Sequence, residues 1–256
     1  MATPHDETDY SSSEESLSDS ALSLGDSDAL TDVSSIEGFD ADDDSTADAR
    51  YTCLTETNGH SEVRIGHRKK IARWVKGSEL HYVICKEGFP STFANSVETA
   101  MREAVSMWQG RGVKLTQVQR HDKATFAVMY EHEDNDDACA RSFFPNDKAP
   151  HTLMVYAKSR EELDFLANIL AHEIGHILGL RHERAHVRER DDRSELIGIE
   201  NLRSVMNYHS HASKFRVKNS DLEGLDRFYA LKQLEYKNLA IVDIDPEVRP
   251  LGEEPR

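Results

Sequence analysis

Residues 172–182 read HEIGHILGLRH, with three histidines, one glutamate and two glycines. His172 and His176 stand four apart, about 400° of helical rotation, so their imidazoles leave one face on successive turns and can reach one metal ion. Glu173 is not in line to bind that ion. It is placed to hold a zinc-bound water and act as general base. Gly179 falls where the helix must end, and only glycine enters the left-handed region cheaply. The turn there would bring His182 back as a third ligand. Three protein ligands leave zinc a fourth tetrahedral position for water, as a catalytic site needs and a structural site does not. The plainer alternative is a charged surface helix with scattered histidines. The two added constraints in HExxHxxGxxH weigh against it. His186 is also four from His182, but the regular helix has ended by then, so His182 is preferred.

Downstream, Ser204-Val205-Met206-Asn207-Tyr208 reads SVMNY. With the long histidine motif, this segment resembles the metzincin metalloproteases, whose zinc helix is followed by a methionine-containing turn beneath the metal. Glu183, directly after the third histidine, and Tyr208, two after the methionine, make the resemblance most like the astacin family. It covers roughly residues 70 to 232 and is strongest from 169 to 208.

The resemblance implies an α+β, two-lobed zincin-like domain, with a twisted mixed sheet, a long active-site helix and a smaller C-terminal lobe. It implies one catalytic Zn2+ on His172, His176 and His182. Glu173 would be the base and Tyr208 a stabiliser of the reaction oxyanion. Gly179, Glu183 and Met206 would be structural neighbours, Met206 shaping the floor without binding the metal. The implied activity is that of a zinc metalloendopeptidase on peptide or protein substrates. The rival is a catalytically idle zinc fold that acts as an adaptor through its acidic tail.

Departures are visible. Past the glutamate the family continues with an arginine and an Asp-Arg-Asp run. Here Arg184-Ala185-His186-Val187-Arg188-Glu189-Arg190-Asp191-Asp192 is similar in charge but out of step, and the spacing from His182 to Met206 is short. Three cysteines, Cys53, Cys85 and Cys139, cannot make the family's two disulfides. In that family the residue at the Glu183 position contacts the processed N-terminus. The family's propeptide caps the zinc with an aspartate, and the candidates for that cap here are Asp26 in Ser23-Leu24-Gly25-Asp26 and Cys53.

The net charge of −16 is uneven. Residues 1–49 hold fifteen Asp and Glu and no Lys or Arg, leaving 32 acidic against 31 basic residues in the rest. Nothing argues for nucleic-acid binding. The start lacks a basic, then apolar, leader, and no stretch approaches the ~20 apolar residues of a membrane span. An odd cysteine count fits a reducing compartment. The expectation is a cytoplasmic or otherwise intracellular monomer with no membrane contact, unless the start is mis-assigned or export is unconventional.

Residues 1–50, rich in Ser, Asp and Glu, are expected to be a disordered tail. Ser11, Ser12, Ser16 and Ser23 precede acids at +3, as acid-directed kinases require, although a plain solvated tail is the simpler reading. A linker is assigned to 51–69, the catalytic domain to 70–242 and a flexible C-terminus to 243–256.

Strands are expected at Leu80–Cys85, Val113–Val118, Thr125–Tyr130 and Leu153–Ala157. The last, preceding the active-site helix, is expected to be the cleft edge on which substrate pairs. A helix is expected from Pro90 to Trp108, with Val97, Met101, Ala104, Val105 and Trp108 on its buried face. The acidic stretch Glu131–Asp137 is read as a solvated loop rather than a calcium site. Ser159 and Glu162 form a capping box that would start a 19-residue active-site helix, burying Leu163, Leu166, Ile169, Leu170, Ile174, Ile177 and Leu178. Ser220 and Glu223 would cap a final helix burying Leu222, Leu225, Phe228 and Tyr229. His209 and His211 are read as surface histidines in preference to cleft-lining ones. Cys85 and Cys139 are read as buried thiols in a cell, or a pair on export.

Overall fold

The computed structural model describes residues 70–132, 138–148, 150–185, 194–197 and 201–251. The acidic tail 1–50 with its serines and Asp26, the linker 51–69 with Cys53, the run 188–192, His186 and most of the acidic loop lie outside them.

The alternation of apolar side chains builds a five-stranded mixed sheet. Its strands are β2 (Glu79–Ile84), β3 (Lys114–Gln117), β5 (Phe126–Glu131), β6 (Ala140–Arg141) and β7 (His151–Tyr156), in the order β3-β2-β5-β7-β6. The first four run parallel and β6 runs antiparallel to β7. Side chains at every second position reach one face. Leu80, Tyr82 and Ile84 of β2, Phe126 and Val128 of β5, and Leu153 and Val155 of β7 join the main core. Val83, Cys85 and Ala127 fall in a smaller cluster with Ala124 of β4 (Lys123–Ala124).

Helix α1 (Ser91–Met107) connects β2 to β3. Val97, Met101, Ala104 and Trp108 of its expected stripe are buried, and Val105 packs at the margin. Gly110 and Gly112, at φ +65° and +75°, turn the chain after it. The whole is the α+β, zincin-like arrangement that the histidine motif implied, with α2 (Leu166–Ile177) packed on α1.

Four expectations are corrected. The active-site helix is 12 residues long, about 18 Å, and not 19. The Ser159 hydroxyl donates back to the Tyr156 carbonyl at 2.7 Å instead of capping, and 157–165 form 3-10 turns that leave Leu163 exposed. Strand β7 is not the sheet edge, because β6 pairs along its outer side through Ala140↔Val155 and Arg141↔Met154. Helix α3 (Asn219–Ala230) buries Leu222, Leu225, Phe228 and Tyr229, yet Ser220 and Glu223 do not cap it. Asp221 accepts the Lys218 N–H at 2.7 Å there, while the Ser220 hydroxyl accepts from Asn201 at 2.7 Å.

The chain after α3 is also more structured than its polar composition indicates. β9 (Leu239–Ile244) pairs in parallel with β1 (Lys70–Trp74), and β8 (Glu235–Tyr236) lies antiparallel on its other side. β10 (Arg249–Pro250) pairs with β4. Residues 243–251, expected as a flexible end, are therefore paired in part.

Arg73 joins these pieces. It is 5% exposed and donates to the Asp243 carboxylate at 2.5 Å and to the carbonyls of Phe228 at 2.6 Å and Leu231 at 3.0 Å. Arg73→Ala leaves two carbonyls and a carboxylate without their cation. It is expected to cost about 2–4 kcal/mol in urea denaturation. An unchanged midpoint would remove Arg73 from this role.

Candidate metal centre

Helix α2 carries His172, Glu173 and His176, all buried. Its end is closed by a six-to-one and a five-to-two hydrogen bond. The Leu180 N–H donates to the Gly175 carbonyl at 2.9 Å and the Gly179 N–H to that of His176 at 2.8 Å. Gly179 sits at φ +95°, and a β-carbon there would come within 3.0 Å of Phe228. The two next carbonyls are taken by aromatic donors from afar. Trp74 Nε1 donates to Ile177 at 2.7 Å and the Tyr229 hydroxyl to Leu178 at 3.1 Å. The helix end is thus satisfied without water, which buried backbone requires.

The turn returns His182 to the helix. The ligand-capable nitrogens of His172, His176 and His182 all lie within 4.8 Å of one another. His172 Nε2 and His182 Nε2 are 3.2 Å apart. Tetrahedral zinc with bonds of ~2.0–2.1 Å sets ligand nitrogens roughly 3.3 Å apart, so this pair fits such an ion.

The ring tautomers also fit. A carbonyl can only accept, so His172 Nδ1–H donates to Val205 at 2.7 Å and His176 Nδ1–H to Leu180 at 2.8 Å. Each Nε2 then presents a lone pair. Burial, reinforced by His182, pulls the His172 imidazole down to about 3, which keeps it neutral.

The methionine turn lies directly under α2. A β-carbon at Gly175 would run into the Met206 sulfur and approach the Trp108 ring to 3.1 Å. Trp108 Nε1 itself donates to the Ala171 carbonyl at 2.9 Å. Glu183 N–H donates to the Met206 carbonyl at 2.9 Å, and its carboxylate accepts the Asn201 N–H. Tyr208, half-buried, places its ring 4.3 Å from that of His182.

Asp221 accepts from Ser204 Oγ at 2.6 Å and from the Val205 N–H at 3.3 Å, joining the turn to α3. Gly175 and Asp221 were not singled out from the sequence. The available signals were a glycine on an otherwise apolar helix face and an acid at the third position of a helix.

His209 is corrected from surface to buried. It is 7% exposed, donates to the Ser204 carbonyl at 2.9 Å and packs on Phe215. His211 is exposed, as expected. Phe215 also packs on His172. Cys85 and Cys139 are buried free thiols. Burial pushes the Cys139 thiol up to about 12, with the Glu162 carboxylate adding to the shift.

Residues 73–188 match the sequence model of the Matrixin family. Among curated proteins, none matches the chain. Among solved structures, the chain is similar to high choriolytic enzyme 1, a hatching enzyme zinc-protease from Oryzias latipes. That likeness has 13% identity and a TM-score of 0.44, covering 61% of this chain and 94% of that one. It is also similar to myroilysin, at 11% identity and a TM-score of 0.42, covering 66% and 93%. The histidine cluster and the Matrixin match over residues 73–188 support a zinc metalloprotease and are consistent with the metzincin class. No described helix is long and apolar enough to cross a membrane.

Gly175→Ala is expected to push the methionine turn off the helix, destabilising the metal-free protein by about 1–3 kcal/mol in thermal unfolding. A variant as stable as the parent would mean that the turn yields without cost.

Proposed function

We propose that the protein is a zinc metalloendopeptidase, astacin-like in its Glu183 and Tyr208, holding one zinc ion on His172, His176 and His182. The observation that carries this reading is the convergence of three buried imidazoles, two with Nδ1 committed to carbonyls, beside a buried glutamate on the same helix. When bound, zinc supplies a Lewis acid that brings a water's pKa toward neutrality and polarises a carbonyl.

Glu173 takes a proton from the attacking water and returns it to the leaving amine, as a carboxylate one residue from the first ligand can. The Tyr208 hydroxyl donates to the oxyanion as it develops. Its ring packs against that of His182, which supports this role. An extended substrate would add as a strand along β6, the strand outside β7. Gly179 and Met206 hold the floor and the turn, and Glu183 braces the segment before Ser204. A catalytically idle scaffold has no need of Glu173 or Tyr208 beside the histidines, so the endopeptidase reading stands first.

Peptide-library cleavage by the purified protein tests this, with bound zinc quantified alongside. Glu173→Gln is expected to lower kcat by several orders of magnitude, on the order of 10³-fold or more, with zinc content unchanged. Tyr208→Phe is expected to lose roughly 10–100-fold in kcat with little change in KM. Full cleavage by Glu173→Gln would exclude it as the base, and a zinc-loaded parent that cleaves nothing would overturn the enzymatic reading.

A further inference from the structure

A line of hydrogen bonds runs from α3 to the first histidine of the zinc motif. Ser204 Oγ–H donates to Asp221 Oδ1 at 2.6 Å. The Met206 N–H donates to Ser204 Oγ at 3.0 Å. The carbonyl of the same peptide group, that of Val205, accepts His172 Nδ1–H at 2.7 Å. All three donors point the same way, toward the carboxylate.

Asp221 is 8% exposed, and its other oxygen is occupied by the Lys218 N–H at 2.7 Å and the Val205 N–H at 3.3 Å. It stands in the first turn of α3, where the helix dipole favours negative charge.

We propose that Asp221 is a positioning residue for the metal centre, acting on His172 through Ser204 and the Val205–Met206 peptide. The inference rests on the reading of His172 as a zinc ligand. The carboxylate draws the Ser204 proton and makes that hydroxyl a better acceptor. The hydroxyl in turn draws the Met206 N–H, and amide resonance shifts electron density onto the Val205 oxygen. That oxygen then holds the His172 Nδ1–H more strongly, which raises the electron density at Nε2 and orients the ring. Hydrogen bonds in series polarise one another, and a buried setting strengthens the effect.

A carboxylate that hydrogen-bonds directly to a ligating imidazole is a common outer partner of zinc. Here a peptide group and a hydroxyl carry the same influence over a longer path. His176 differs, because its Nδ1–H goes to the Leu180 carbonyl at the helix end.

The test is zinc affinity of the full chain, measured by competition with a chromogenic chelator, beside the melting temperature of the metal-free protein. Ser204→Ala breaks the middle of the line but leaves Asp221 its bonds to Lys218 and Val205. Asp221→Asn removes the charge. Each is expected to weaken zinc binding roughly 10–100-fold. The double variant should bind no more weakly than the worse single one, since both interrupt one path. Ser204→Thr, which keeps the hydroxyl, should restore affinity, and Ser204→Ala should melt near the parent when metal-free.

Parental zinc affinity in Ser204→Ala, or losses that multiply in the double variant, would overturn the proposal and leave Asp221 as a cap for α3. His172→Ala separates the two readings. If it loses zinc while Ser204→Ala does not, the relay alone fails. If it keeps zinc, the ligand assignment fails and the relay with it.

Discussion

The left-handed turn at Gly179 is the constraint on which the rest of the structure depends. A helix can align two histidines by its own period, but no helix can offer a third from the same segment to the same point. The chain must stop, reverse and return within three residues. Stopping leaves buried carbonyls that need donors. Backbone N–H groups of the turn supply two of these, and Trp74 and Tyr229 supply two more. Those aromatics belong to β1 and α3, so elements near opposite ends of the described chain hold the end of α2. Arg73 and the pairing of β1 with β9 keep those elements together.

The methionine turn is the second support, and it works by contact. Gly175 opens a gap on the underside of α2 that Met206 fills, with the Trp108 ring as its neighbour. The same turn offers the Val205 carbonyl to His172 and is itself held by Asp221 and Glu183. The first and third histidines and the floor are therefore set by one short segment. Packing and hydrogen bonding fix the orientation of the imidazoles before any metal arrives, which is the condition for tight tetrahedral binding.

The histidine motif was legible because its information is local: a spacing of four, then a glycine. The strands β2, β5 and β7 and the stripe of α1 were legible for the same reason, each having enough residues to show its period. Local signals misled where a side chain found another partner. Ser159 resembles a helix cap, yet its hydroxyl turns back to Tyr156. Ser220 resembles one too, yet it pairs with Asn201 while Asp221 does the capping. β6 has two residues, too few for any alternation, and with it went the identity of the sheet edge. The pairing of β1 with β9 joins residues about 170 positions apart, and no window of sequence contains it. His209 became buried because Phe215 folds over it.

Zinc K-edge X-ray absorption on the purified protein, loaded with one equivalent of metal, tests the central claim most directly. The account predicts three imidazole nitrogens at ~2.0–2.1 Å and one further light-atom ligand, with one imidazole lost in His182→Ala. A sulfur shell near ~2.3 Å, or a spectrum unchanged by His182→Ala, would contradict it.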